Sequence, residues 1–499
     1  MTSAMIWILV AVVVYLLGML AIGFKYANNS TSEDFYLGGR KLGPIVTAMS
    51  TEASDMSAYL LMGVPGLAFF CGVAEAGWTA IGLALGTYLN WLIVAKRLRR
   101  YSAGINAITV PDFLARRFRD NTKIIETLGA LTVIIFFVPY TASGFAACGK
   151  LFNSLFGFDY MTAMIISAAV IVIYCATGGF MAASVTSLIQ GIVMTIALVI
   201  VLIFGINTAG GWDAVIANAK EIPGYLDFSA STSILTGTPS SYSPLMIAST
   251  LAWGLGYFGM PHIIIRFMSL ESQKSLKKSA KIGISWTLLI VIFAALVGII
   301  GRLFLGYDES INANSLVFIT MVRKIFPGVI SGILLSAVLA ASMSTADSQL
   351  LAAASAFASD VYKPVLRKNK ASEKEMLWAG RFVVLAISII ALLIASNPNA
   401  GSIMSLVSNA WGVFGAAFGP AIMLSLFWKR FNFAGAVAGI AVGAVVDVGW
   451  LLLLSSTGIY EIIPGFAASL LAAVIASLCT KKPDADVEAL YDRAVAYEE

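Results

Sequence analysis

Histidine is almost missing from this chain, with His262 the only one. The four cysteines, Cys71, Cys148, Cys175 and Cys479, show neither a CxxC pair nor metal-ligand spacing, so they read as small apolar core residues. A histidine-based metal cluster is excluded. An enzyme needs a nucleophile and a base, and one histidine inside an apolar run supplies no such set. No GxxxxGK[ST] phosphate loop occurs, so the chain carries no built-in ATPase. No ring of charges or repeated filter sequence marks a channel. Charged residues make up only 12% of the chain, against about 25% in soluble domains. The net charge is +5, but the basic residues lie in short segments between apolar runs, and no basic face is left for nucleic acid.

The chain does have hydrophobic length. Of its 499 residues 59% are hydrophobic, and the mean hydropathy is +0.88. No ordinary soluble core hides that much apolar surface, so lipid must be the main solvent. A spanning helix takes about 20 apolar residues, which allows about 12–14 spans at this length. Apolar runs broken at charge or Gly/Pro clusters predict thirteen: 5–24, 44–70, 76–95, 126–150, 161–178, 181–206, 244–266, 282–304, 326–356, 376–396, 400–428, 433–455 and 460–480. The first run has no basic leader and no small-residue cleavage site, and is expected to be a retained span. The longest connection, 207–243, is too short for a soluble domain. Residues 1–480 therefore read as one transmembrane domain, with 481–499 a short tail. With the N-terminus outside, 27 of the 32 Lys and Arg fall on the inner side. The excess of basic residues on the inner side predicts N-out, C-in in a cytoplasmic membrane.

Polar groups at mid-span are costly, and so they point to function. Three runs stand out. The second span carries Thr51-Glu52-Ala53-Ser54-Asp55-Met56-Ser57-Ala58-Tyr59, with Asp55 near mid-depth. A carboxylate there needs a cation, a proton or the amides of an unwound stretch. The seventh span carries Trp253-Gly254-Leu255-Gly256-Tyr257-Phe258-Gly259-Met260-Pro261, where three Gly and one Pro break a helix beside aromatic rings. The ninth carries Ala341, Ser344, Thr345 and Ser348 on one face, with Asp347 beside them. That face is small and oxygen-rich, as a hard cation such as Na⁺ prefers. The second and seventh spans lie five helices apart, as expected when each opens one half of a five-plus-five inverted repeat.

These runs, with Tyr36-Leu37-Gly38-Gly39-Arg40 and Met343-Ser344-Thr345, make the chain resemble the sodium:solute symporter family, most closely its sodium/proline symporters. The resemblance extends from about residue 7 to residue 480. It implies an all-α membrane protein of the LeuT type. The repeat would occupy helices 2–11 (44–206 and 244–428), with extra helices at 5–24, 433–455 and 460–480. It also implies inward Na⁺/L-proline symport by alternating access, with Na⁺ as coupling ion, no organic cofactor, and proline, Na⁺ and the bilayer as partners. Another small amino acid or a carboxylate is the alternative cargo. By the same resemblance Na⁺ falls on carbonyls of Ala53, Met56 and Ala341 and hydroxyls of Ser344 and Thr345, with Asp55 tied to coupling. Substrate falls on Ser57, Tyr59, Tyr140, Trp253, Tyr257 and Pro261.

Three positions depart from the family pattern. Ala58-Tyr59 stands where proline carriers often have Gly-Trp. Ser187 stands where an Asp serves a second sodium site in some members. Asp347 stands where relatives often have Ser or Cys. Losing one acid and gaining another points to an exchange, with a second cation site at Ser187, Asp347 and Ser348 beside Ser344. Asp447, in the twelfth span, is expected to face a neighbouring helix or a water pocket.

Overall fold

The computed structural model describes residues 3–27, 31–232, 237–305, 316–397 and 403–496. The start of the predicted eleventh span at 400–402, four residues of the 207–243 connection and the last three of the tail lie outside them. Twenty helices and one small hairpin make up the described chain. In order they are α1 (Ser3–Lys25), α2 (Ser32–Leu37), α3 (Pro44–Ala58), α4 (Val64–Cys71), α5 (Val73–Leu89), α6 (Lys96–Gly104) and α7 (Val110–Phe118). Then come α8 (Ile124–Phe156), α9 (Tyr160–Thr208), α10 (Trp212–Glu221), β1 (Ala230–Thr232), β2 (Pro239–Ser241), α11 (Pro244–Leu251), α12 (Pro261–Ser269) and α13 (Leu276–Leu305). The last seven are α14 (Val317–Ile325), α15 (Gly328–Ser355), α16 (Glu373–Ala395), α17 (Ile403–Phe427), α18 (Phe433–Leu454), α19 (Ile462–Cys479) and α20 (Ala485–Ala496). Among the described residues, eleven helices are long and apolar enough to cross a membrane.

Two features separate that number from the thirteen predicted spans. The fifth and sixth predicted spans follow each other directly as α9, of 49 residues, with a non-helical break at Gly179. At 1.5 Å per residue it would measure about 74 Å, more than twice the hydrocarbon thickness. It turns at Gly179, where φ is +62°. A Cβ there would also lie 2.8 Å from the carbonyl oxygen of Phe35, so glycine meets both a conformational and a spatial requirement. The seventh predicted span is not a single helix. α11 runs into a 3₁₀ stretch over Ala252–Phe258, the chain extends at Met260, and α12 restarts with Pro261 at its first position.

Burial sorts the helices. α15 is buried at almost every position from Leu334 to Ser355, and α3 from Thr47 to Ala58. α17 is buried throughout its middle. These three carry the small and polar residues and form the interior. α1, α16, α18 and α19 bury only one face and turn Leu, Ile, Val and Phe outward. α15 packs on α9, α8, α1 and α3, so its oxygen-rich stretch meets the break in α3.

At the Lys/Arg-rich end the interior is sealed by arginines on backbone carbonyls. Arg40 donates to Met268 O (2.8 Å) and Ala107 O (2.5 Å). Arg99 donates to Leu270 O (2.6 Å). Burial, and then the charge of Arg99, pull the Arg40 guanidinium down to about 10. Arg266 is not a solvated loop residue. It stands among the inner-side residues that orient the chain, yet in α12 it is 1% exposed, and it donates to Ser50 Oγ, His262 O and Ser348 Oγ.

Candidate functional site

The second span is interrupted where its sequence turns polar. Ser57 has φ +48° and ψ −172°, a conformation that costs a non-glycine residue on the order of 1–3 kcal/mol. A π-helical turn over Tyr59–Gly63 then leads into α4. The break leaves the Ser57 Oγ free to accept the Tyr59 amide at 3.2 Å.

Around this break lie Asp55, Met56, Ser57, Tyr59, Leu83, Tyr140, Trp253, Val407 and Trp411, lining a cavity of about 10 Å³. That volume takes about one water, so the rings must separate before an amino acid can enter. Tyr59 stacks on Trp253 with ring centroids 5.6 Å apart and planes 15° apart. Tyr257 meets Trp411 edge-on at 5.1 Å. The Tyr257 hydroxyl donates to Asp55 Oδ2. It thereby joins the acid expected to couple sodium to a residue expected to hold substrate.

Four of the six expected substrate residues, Ser57, Tyr59, Tyr140 and Trp253, line this cavity, and Tyr257 joins it through Asp55 and Trp411. Pro261 does not line the cavity; it opens α12 just beyond the extended link at Met260. Trp411 was not anticipated. Its indole Nε1 donates to Trp253 O at 2.8 Å, and a Cβ on Gly256 would lie 1.9 Å from that nitrogen. The glycine is what lets the 3₁₀ stretch lie flat against α17. The available signal was a tryptophan next to Gly412 in mid-span, away from the interface where aromatics usually sit.

The expected sodium ligands also draw together. Ser344 Oγ lies 2.8 Å from Ala53 O and 3.1 Å from Ala341 O, and Thr345 Oγ1 lies 3.3 Å from Ala341 O. Two hydroxyls and two carbonyls of α3 and α15 thus converge in a fully buried spot. The Met56 carbonyl accepts the Tyr59 amide here. To hold a cation the two hydroxyls would turn their protons away from the carbonyls, so that all four oxygens could face it.

The second expected cation site has a different character. Asp347 is 0% exposed; it accepts from Tyr174 OH at 2.8 Å, and Ser348 Oγ lies 2.9 Å from its Oδ1. Ser348 Oγ accepts from Arg266 Nη2 at 2.7 Å, so a fixed guanidinium stands one residue from this carboxylate. Ser187 Oγ is buried without a hydrogen-bond partner. Another buried acid, Glu52, accepts from Trp91 Nε1 and Thr287 Oγ1, each at 2.7 Å, and needs no ion to be satisfied.

The chain matches the sequence profile described as the sodium:solute symporter family over residues 35–443. It is 44% identical over 482 residues to the osmoregulated proline transporter OpuE of Bacillus subtilis, covering 95% of each chain. To the sodium/proline symporter of Staphylococcus aureus it is 41% identical over 494 residues, covering 97% of this chain and 94% of that one. Among solved structures it is similar to a Na⁺-coupled sialic acid symporter in a substrate-bound outward-open state. That match has a TM-score of 0.80 and 18% identity, and covers 95% of this chain and 98% of the other. Mhp1, a nucleobase-cation-symport-1 family transporter, matches with TM-score 0.58 and 14% identity over 93% of this chain and 99% of that one. These structural likenesses give the fold, that of the LeuT-type transporters. The chain belongs to the sodium:solute symporter family.

Proposed function

We propose that this protein takes up L-proline together with Na⁺ across the cytoplasmic membrane by alternating access. The observation that carries the mechanism is the Tyr257–Asp55 hydrogen bond, which joins the break in α3 to the break between α11 and α12. Na⁺ sits on the carbonyls of Ala53, Met56 and Ala341 and the hydroxyls of Ser344 and Thr345. Its charge settles Asp55 and holds Tyr257 in place. Proline lies between Tyr59, Tyr140, Trp253 and Tyr257. Its ring fills an apolar slot, and its carboxylate meets an exposed half-helix terminus and the Na⁺. Without Na⁺ the carboxylate is left against a buried acid, so substrate and ion bind together.

In this reading the two halves of α9 and the interrupted α11–α12 segment each count as spans, which raises eleven to thirteen. Spans two to eleven form the inverted repeat, and the N-terminus lies outside. Ser187, Asp347 and Ser348 hold a second cation on its way inward, with Arg266 regulating its stay. Sodium dependence of uptake in Asp347→Asn tests that stop. A lower Hill slope supports it, and unchanged sodium affinity and slope remove it. For the whole mechanism, labelled proline uptake into proteoliposomes under an imposed Na⁺ gradient is the test, with other small amino acids and carboxylates as competitors. Accumulation blocked by excess proline and not by the other compounds supports it.

A further inference from the structure

Two acids outside the repeat have no role in that mechanism. Asp447 of α18 is 0% exposed, and neither carboxylate oxygen has a hydrogen-bond partner. Glu461, the residue before α19, is 8% exposed, and its Oε1 has no partner. The two side chains converge over one glycine. A Cβ on Gly412 of α17 would lie 3.0 Å and 3.3 Å from the Asp447 oxygens and 3.3 Å from Glu461 Cγ. A Cβ on Gly465 of α19 would lie 3.1 Å from Asp447 Oδ2. The two glycines are what let the carboxylates press against α17 and α19, and neither Asp447 oxygen nor Glu461 Oε1 meets a donor there. Among the described residues no Lys, Arg or His pairs with either acid.

Two ionised carboxylates this close, at this depth and without donors, are not tolerable by themselves. The spot offers at least three free oxygens and no softer ligand, which suits a hard cation, and one Na⁺ with one proton shared by the pair leaves it neutral. We propose that Asp447 and Glu461 hold one Na⁺ between α17, α18 and α19, separate from the sites on α3 and α15. The ion joins the two outer helices to the transport core. Tyr460, next to Glu461, donates its amide to Ser249 Oγ of α11 at 2.6 Å and its hydroxyl to Ser408 O of α17 at 2.7 Å. Its ring lies 5.4 Å from that of Trp253. An ion at Glu461 therefore steadies the outer wall of the aromatic slot.

The experiment is equilibrium ²²Na⁺ binding to the purified full-length protein, with thermal unfolding in NaCl and in choline chloride at equal ionic strength. The variants are Asp447→Asn, Glu461→Gln and the double substitution. The expected result is that each single variant binds one Na⁺ equivalent fewer than wild type and still takes up proline. The double variant, if only it folds, should lose the same single equivalent, and its Tm should no longer rise with Na⁺ through this site. Unchanged Na⁺ stoichiometry in the variants overturns the proposal. So does a Tm that follows pH and not Na⁺ at constant ionic strength, because the pair then holds protons and no Na⁺. Asp55→Asn serves as the contrast: it should remove a different equivalent together with uptake. A failure of the transport reading is thus distinguishable from a failure of this site.

Discussion

Asp55 shows what a single buried residue must satisfy. It is 6% exposed, and Tyr257 OH is the donor that reaches it. Removing that donor leaves a buried acid short of a partner, a loss of about 1–3 kcal/mol. Tyr257→Phe is therefore expected to raise the Na⁺ concentration for half-maximal proline uptake by roughly ten-fold or more, measured as a Na⁺ titration of initial rates. Ser344→Ala removes a hydroxyl that bridges α15 to Ala53 and should weaken Na⁺ in the same assay, while folded yield is kept. Asp55, Tyr257 and Trp253 were legible in the sequence because polar or aromatic groups at mid-depth have no cheap explanation there. Trp411 was not, because an aromatic residue in an apolar run looks like core. The burial of Arg266 was not legible either, because a charge at a span end reads as a loop residue. Only the packing shows that its guanidinium reaches Ser50 and Ser348.

At the scale of elements, glycines and caps decide where the chain turns. Gly179→Val asks a branched residue to take φ +62° and to occupy space 2.8 Å from Phe35 O. The positive φ alone costs about 1–2 kcal/mol, and the clash adds to it. The variant should show a clearly lowered Tm or no folded peak on size exclusion. α9 begins with Asp159, whose carboxylate accepts from the Thr162 amide at 2.9 Å and its hydroxyl at 3.0 Å. Those bonds hold it below the usual carboxylate range. Because the folded form prefers the ionised acid, the cap helps at neutral pH and its help fades as pH falls below about 4. Asp159→Ala should lower Tm at pH 7, and by progressively less as the pH is taken below 4. The broken helices at Ser57 and at 252–260 were readable from Gly, Pro and hydroxyl clusters. The break in α9 at Gly179 falls in the gap read between the fifth and sixth spans, where a Gly pair separates two apolar runs.

For the whole molecule, the scarcity of charge dictated lipid as solvent, and the long apolar runs dictated helices. Which helices lie inside followed less directly. α3, α15 and α17 differ from α1, α18 and α19 in having small and polar residues all round, and that contrast is visible only along full spans. The tail helix α20 docks by ion pairs at the surface, Arg119 to Asp486 at 2.5 Å and Lys429 to Asp492 at 2.7 Å. Such exposed pairs contribute little, so Asp486→Asn should leave Tm nearly unchanged, by differential scanning fluorimetry. The central claim concerns two breaks, one pocket and a Na⁺ that makes them a single binding unit. The most direct measurement is proline accumulation in proteoliposomes with Na⁺, Li⁺ and H⁺ gradients imposed separately. The account predicts concentrative uptake with an inward Na⁺ gradient and its loss in Asp55→Asn. Equal uptake with no Na⁺ gradient, or under an H⁺ gradient alone, would contradict it.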